Sequence, residues 1–282
     1  MPQRFEGHFT GSDQTELFFQ TWAPDKVRGV MIITHGLAEH SECYNHVAKM
    51  LSDDGWQIFA WDLRGHGRSE GKRGYVRDIS YFVDDLSVLH REVRRQFPSE
   101  NLIFLGHSLG GLITLRFLET HPVEHSAVVL SSPCVGLSVA VPKFKQALAH
   151  VALKWMPTLT MHNELKYEDL SRDEEKLKGY RTDTLRQDKI SPGLFLSMVD
   201  AFGPVLEDAG KIQTPVLMQL AGEDRIVSTA ASRVLFERLP NKKSQAIVYP
   251  DSYHEVYNDL DREQVFADLK KFTHTYLKES QP

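Results

Sequence analysis

A serine stands between glycines in Gly106-His107-Ser108-Leu109-Gly110, directly after the apolar run Leu102 to Leu105 and directly before Leu112, Leu115 and Leu118 at helical spacing. A strand that turns sharply into a helix at G-x-S-x-G forces the serine into a strained backbone conformation and exposes its hydroxyl. The bare pattern recurs by chance; the strand before it and the helix after it make Ser108 a candidate nucleophile. A serine hydroxyl attacks only when a base takes its proton, and that base is usually an imidazole held in one tautomer by a carboxylate. Thirteen histidines compete for the role. In parallel α/β sheets with this elbow the order is Ser, then Asp or Glu, then His, each on a loop at the carboxyl ends of strands. Asp224 follows the run Val216 to Leu220, and His254 follows Gln245 to Tyr249. These are the natural carboxylate and base. His274 competes with His254 but lies within a helical pattern, and Glu223, Asp200 and Asp208 compete with Asp224.

Acyl transfer develops negative charge on the carbonyl oxygen, which needs two N–H donors already in place. The residue after the nucleophile, Leu109, supplies one. The other is expected from the loop after an early strand, and Ile32-Ile33-Thr34-His35-Gly36-Leu37 is a strand ending in His-Gly, so Leu37 is assigned to it. His121 and His125 are four apart, but Pro122 interrupts any helix between them, and no H-E-x-x-H is present. The expected chemistry uses neither a metal nor a cofactor.

These residues need a scaffold. The 282 residues are 41% hydrophobic and 25% charged, which suits a globular protein with a sizeable core. From Val27 onward, short apolar runs alternate with helical stretches. The runs are Gly29 to Thr34, Gln57 to Trp61, Leu102 to Leu105, Ala127 to Leu130, Val216 to Leu220 and Gln245 to Tyr249. The helical stretches are Tyr44 to Asp54, Tyr81 to Gln96, Leu109 to Thr120, Ala230 to Arg238 and Arg262 to Leu277. Two further strands, around Phe5 to Phe9 and Glu16 to Trp22, precede them across a Gly11-Ser12-Asp13 turn. Continuous apolarity fits strands covered on both faces, so the fold class is α/β, a mostly parallel eight-stranded sheet with helices on both faces. The rhythm breaks between about Val135 and Ser191, too long a stretch for a plain loop. We therefore expect a core of residues 1–134 and 192–282 with an inserted helical cap at 135–191.

Charge and composition limit the partners. Lys plus Arg number 33 against 38 Asp plus Glu, a formal net charge of -5, with no basic block to follow a phosphate backbone, so nucleic acid is not expected. Cys43 and Cys134 lack Cys-x-x-Cys or zinc-ligand spacing and read as free thiols. The N-terminal stretch has no apolar signal region, and no run of about 18 apolar residues occurs. The expectation is a cytoplasmic protein.

Taken together, H-G-L-A-E-H-S-E-C-Y (His35 to Tyr44), D-L-R-G-H-G-R-S (Asp62 to Ser69), G-H-S-L-G-G, A-G-E-D-R-I-V and Y-H-E-V resemble the monoglyceride lipase and lysophospholipase group of α/β-hydrolases. The similarity runs over nearly the whole chain, including S-R-D-E-E-K-L-K-G-Y-R-T-D in the insertion. The resemblance implies a cap over the carboxyl edge of the sheet, a Ser108, Asp224, His254 triad, and an oxyanion hole from Leu37 and Leu109. It also implies a substrate-binding role for His35, Gly36, Glu39 and Tyr180. In animal members, the glutamate matched by Glu39 is followed four residues later by an arginine that helps bind the glycerol head. Cys43 stands at that place here, and Tyr257 stands where a second histidine would follow the catalytic one.

The expected activity is hydrolysis of a monoacyl lipid, a monoacylglycerol or a lysophospholipid, through an acyl-enzyme. The apolar segment Val141 to Leu159, with Lys143, Lys145 and Lys154 interspersed, is expected to line an acyl tunnel inside and to touch lipid aggregates or a membrane face outside. Two other readings stand beside it: a serine aminopeptidase in which Glu39 holds a free amine, and a catalytically silent binding protein on the same fold.

Overall fold

The structure is a computed structural model that describes residues 2–139 and 142–278. Val141, and the side chains of Lys143 and Lys145, lie outside the described residues. Eight strands form the main sheet: β1 (Gln3–Thr10), β2 (Glu16–Ala23), β3 (Gly29–Thr34), β4 (Trp56–Trp61), β5 (Leu102–His107), β6 (Ala127–Ser131), β9 (Val216–Ala221) and β10 (Gln245–Tyr249), with β7 (Met161–His162) and β8 (Lys189–Ile190) making a separate two-stranded ribbon. The order is β1-β2-β4-β3-β5-β6-β9-β10. Pairings of β1 with β2 and β2 with β4 are antiparallel; the rest are parallel.

The apolar runs become strands because both faces are covered. In β3, Val30 and Ile32 face one core cluster, while Met31 and Ile33 face the other, as the two-residue period of a strand requires. The first face is covered by α2 (Ser80–Gln96), α3 (Leu109–Thr120), α7 (Phe202–Asp208) and α8 (Thr229–Arg238). The second is covered by α1 (Asn45–Asp53) and α9 (Arg262–His274). Each fully buried Leu or Ile in these layers contributes about 1.5–3 kcal/mol, and all residues of β3, β4, β5, β6 and β9 are buried.

Between β6 and β9 the chain leaves the sheet. It forms α4 (Lys143–Trp155), the β7–β8 ribbon, α5 (Glu174–Thr182) and α6 (Pro192–Asp200) before α7. Helices α4 and α5 lie within the stretch where a helical insertion was expected. The ribbon and α6 were not foreseen, although Ser191, whose hydroxyl accepts from the Leu194 N–H, and Pro192 in the first turn make a standard helix start. Ion pairs and a hydrogen bond tie the later part of this segment to the core. Arg172 reaches Asp259 at 3.1 Å, Arg262 reaches Asp173 at 2.6 Å, and His40 Nε2 lies 2.8 Å from Asp183 Oδ2. No helix among the described residues is long and apolar enough to cross a membrane. Cys43 and Cys134 are both free thiols.

Candidate active site

The elbow forms where β5 meets α3. Ser108 has φ 51° and ψ −119°, a conformation that costs about 1–3 kcal/mol for a residue with a side chain. Hydrogen bonds over-determine it: the Ser108 N–H donates to Ser131 O at 3.0 Å, and its carbonyl accepts from Gly111 N at 2.9 Å and Cys134 N at 2.9 Å. Close packing explains the glycines. A Cβ on Gly110 would lie 2.1 Å from Thr34 O, and one on Gly106 would lie 2.6 Å from Gly110 O, so the start of α3 rests directly on the ends of β3 and β5.

His254 and Asp224 meet on loops after β10 and β9. The His254 Nδ1–H donates to Asp224 Oδ2 at 2.8 Å, which leaves Nε2 as the basic nitrogen. Asp224 Oδ1 accepts from the Ile226 and Val227 N–H groups, each at 2.9 Å, so the carboxylate cannot swing away. Burial alone would lower the His254 pKa, but the Asp224 charge and hydrogen bond outweigh it and hold it above the usual imidazole range. In the same way, burial pushes Asp224 up while His254 and the two backbone bonds bring it below the usual carboxylate range. Neighbouring His107, with its ring centroid 4.8 Å from that of His254, stays neutral because burial lowers its pKa to about 3. Its Nδ1–H donates to Ser131 O at 3.0 Å. Among the described residues the Ser108 hydroxyl has no hydrogen-bond partner.

Ser108, His254, Leu37 and Leu109 line one cavity of about 820 Å³. Neither the Leu37 nor the Leu109 amide has an acceptor among the described residues, as oxyanion donors require. Apolar walls come from Leu137, Phe195, Met198 and Ile226, and the polar wall comes from Glu39, Arg186 and Glu255. Glu39 shapes the loop after β3: its Oε2 accepts from Gly36 N at 2.8 Å and from Tyr44 OH at 2.9 Å.

Two residues expected at the substrate lie outside the lining of this cavity. His35 does not line the cavity; its Nδ1–H donates to Gly36 O at 2.7 Å and its Nε2 accepts from Leu63 N at 2.9 Å, so both ring nitrogens brace the loop. Tyr180 also lies outside this cavity, lining a smaller one of about 300 Å³. Its hydroxyl donates to Glu255 Oε2 at 2.5 Å, and its ring carries the Arg186 guanidinium at 3.8 Å from the centroid. Gly36 and Glu39 do line the cavity.

Arg186 and Glu255 were missed. Glu255 follows His254 directly, a signal that was available; Arg186 lies in the insertion with no spacing to mark it. Arg186 Nη2 lies 3.2 Å from Glu255 Oε1 and 3.5 Å from Glu39 Oε1. Burial raises both carboxyl pKa values. For Glu255, Arg186 and the bonds from Tyr180 and Asn258 prevail and keep it ionised. For Glu39, burial and the Glu255 charge win, and its pKa is raised.

Comparison with known proteins places this geometry. The profile of the family described as serine aminopeptidase, S33, matches residues 25–261. A monoacylglycerol lipase of Mycolicibacterium smegmatis is 34% identical over 276 residues, covering 97% of this chain and 98% of the relative. The crystal structure of Paleococcus ferrophilus monoacylglycerol lipase superposes with a TM-score of 0.83 at 30% identity, covering 98% and 99% of the two chains. A soluble variant of monoglyceride lipase from Saccharomyces cerevisiae shares the fold with a TM-score of 0.85 at 21% identity, covering 98% and 96%. With an elbow serine, an ordered Asp224–His254 pair and full-length similarity, the chain belongs to this serine hydrolase family and, within it, to the monoglyceride lipase group of the α/β-hydrolases.

Proposed function

We propose that the chain hydrolyses carboxylic esters of monoacyl lipids through an acyl-enzyme on Ser108. The observation that carries this is one cavity in which the elbow serine and the Asp224-held imidazole meet apolar walls and a buried polar wall. Ser108 Oγ attacks the acyl carbonyl carbon while His254 Nε2 takes its proton. The Leu37 and Leu109 amides receive the oxyanion. The tetrahedral intermediate then expels the alcohol, whose oxygen takes the proton from His254. Water, deprotonated by the same nitrogen, attacks the acyl carbon, and the second tetrahedral intermediate expels Ser108 Oγ, which takes that proton back as the fatty acid leaves. An aminopeptidase reading is not favoured, because the relatives named above are lipases.

The acyl chain would lie along Leu137, Phe195, Met198 and Ile226. Burying one methylene is worth about 0.8 kcal/mol, so kcat/KM should rise by up to about fourfold per methylene along a 4-nitrophenyl ester series. Esters from C2 to C16 test this. A steep preference for acetate would remove the acyl-tunnel reading.

Residues 135–191 serve as the cap in this reading. Helix α4 has two sides: Ala149 lines the cavity, while Phe144, Leu148, Val151 and Trp155 are 69%, 61%, 56% and 75% exposed. Spaced four, three and four apart, these four share one face, with Lys154 beside Trp155. Such a face suits a lipid surface. Trp155→Ser combined with Leu148→Ser should weaken sedimentation with lipid vesicles at least about tenfold, with much less effect on a water-soluble ester. Unchanged vesicle binding would show that α4 does not dock.

A further inference from the structure

The loop after β3 continues as His40-Ser41-Glu42-Cys43, an imidazole and a thiol three residues apart. A 3-10 turn, Ser41–Tyr44, follows His40, and the Cys43 N–H donates to His40 O at 3.1 Å. Residues three apart on such a turn stand one above the other. The insertion adds a carboxylate: Asp183, just past α5, has its Oδ2 2.8 Å from His40 Nε2. One ligand atom from each of His40, Cys43 and Asp183 lies within 4.8 Å of those of the other two. All three line the cavity of about 300 Å³, which Ser108 does not line. A second observation points to a ligand there. With the Nε2–H donated to Asp183, His40 Nδ1 carries a lone pair. That atom is buried without a partner among the described residues, in a side chain only 3% exposed. Asn45 Oδ1, in the wall of the same cavity, is likewise buried without a donor. Buried acceptors that nothing fills are rare and call for an explanation. A cation supplies one, because it takes lone pairs.

We propose that His40, Cys43 and Asp183 bind a divalent cation of the zinc type, which ties the insertion to the loop after β3. The donor set chooses the metal. Imidazole and thiolate suit Zn²⁺, whereas Mg²⁺ and Ca²⁺ ask for oxygens. The charges also close: one thiolate and one carboxylate balance a doubly charged ion. Arg186 Nη2 lies 3.6 Å from Cys43 Sγ, but that cation is already balanced by Glu255 at 3.2 Å. Glu42 and Glu175 line the same cavity and offset its other cation, Lys176. Burial pushes the Cys43 thiol up, so it enters the site protonated. Binding therefore breaks the S–H bond as the S–metal bond forms, and the proton leaves to solvent. At metal–ligand distances of about 2.0–2.3 Å the three ligands draw inward. Asp183, 27% exposed at the end of its helix, has room to do so.

The test is metal uptake by the full chain after treatment with a chelator. Zn²⁺ binding is measured by equilibrium dialysis, and Co²⁺ serves as a coloured probe of the same ligands. Wild type should take up a single Zn²⁺ per chain and melt at a higher temperature with it than without, since the ion binds only where the insertion and the loop are assembled. Co²⁺ should give a thiolate-to-metal absorption band. Cys43→Ser should lose that band and bind Zn²⁺ at least about tenfold more weakly, because even the outer partners of a metal site are worth that much. Asp183→Asn should weaken binding by a similar factor while keeping the band. Cys134→Ser should keep both the band and the affinity. A wild type that gives no band, or a Zn²⁺ affinity unchanged in Cys43→Ser, would overturn the proposal. If Cys43→Ser does not fold, an unchanged affinity in Asp183→Asn would overturn it equally. Every readout is independent of ester turnover, so the outcome is separate from that of the hydrolase reading.

Discussion

Ser108→Ala is expected to lower kcat on monodecanoylglycerol by about 10⁶-fold and to abolish labelling by a fluorophosphonate probe, with the melting temperature nearly unchanged. The size follows from the chemistry. Alanine removes the only atom that can form the acyl-enzyme, leaving the oxyanion amides and the binding walls to act on water alone. Stability should hold because the hydroxyl makes no hydrogen bond among the described residues, while the backbone bonds that fix φ at 51° remain. A variant that is still labelled at another serine, or that keeps more than a few per cent of its turnover, would remove Ser108 as nucleophile. Labelling followed by peptide mapping and a parallel initial-rate assay decide it.

The second large effect belongs to Asp224→Asn, for which a fall in kcat of about 10⁴-fold is expected. An amide at this place can donate to His254 Nδ1, which favours the wrong tautomer and leaves Nε2 protonated where it must be basic. The pH profile adds a reading that misfolding could not imitate. In the wild type, kcat/KM falls as pH drops through the His254 pKa, because imidazolium cannot take the serine proton. That pKa is held above its ordinary value by the Asp224 charge. Neutralising residue 224 removes the support, so the acid limb should move to lower pH while the plateau drops. A plateau that drops with no movement of the limb would mean that Asp224 positions His254 without setting its charge.

Much of this was legible in the chain because the physics was local. Strands β3 and β10 have the bounds that their apolar runs suggested, and the elbow lies where the strand and helix patterns meet at Ser108. The Asp224–His254 pair was readable from order alone, since a parallel sheet puts both at one edge. The polar wall was not. Arg186 is far in sequence from Glu39 and Glu255, and only the packing of the insertion brings the three together. His35 and Tyr180, expected at the substrate, lie outside the lining of the Ser108 cavity. A histidine beside a glycine is as useful for bracing a loop as for touching a ligand, and only its two filled ring nitrogens distinguish the roles.

The insertion is fastened unevenly. Its stretch from Arg172 to Arg186 is pinned to the core by ion pairs through Arg172, Asp173 and Arg186 and by a hydrogen bond between Asp183 and His40. Helix α4, among the described residues, packs against α6 without such pairs. Local opening of the segment is expected to cost most where it carries Arg186.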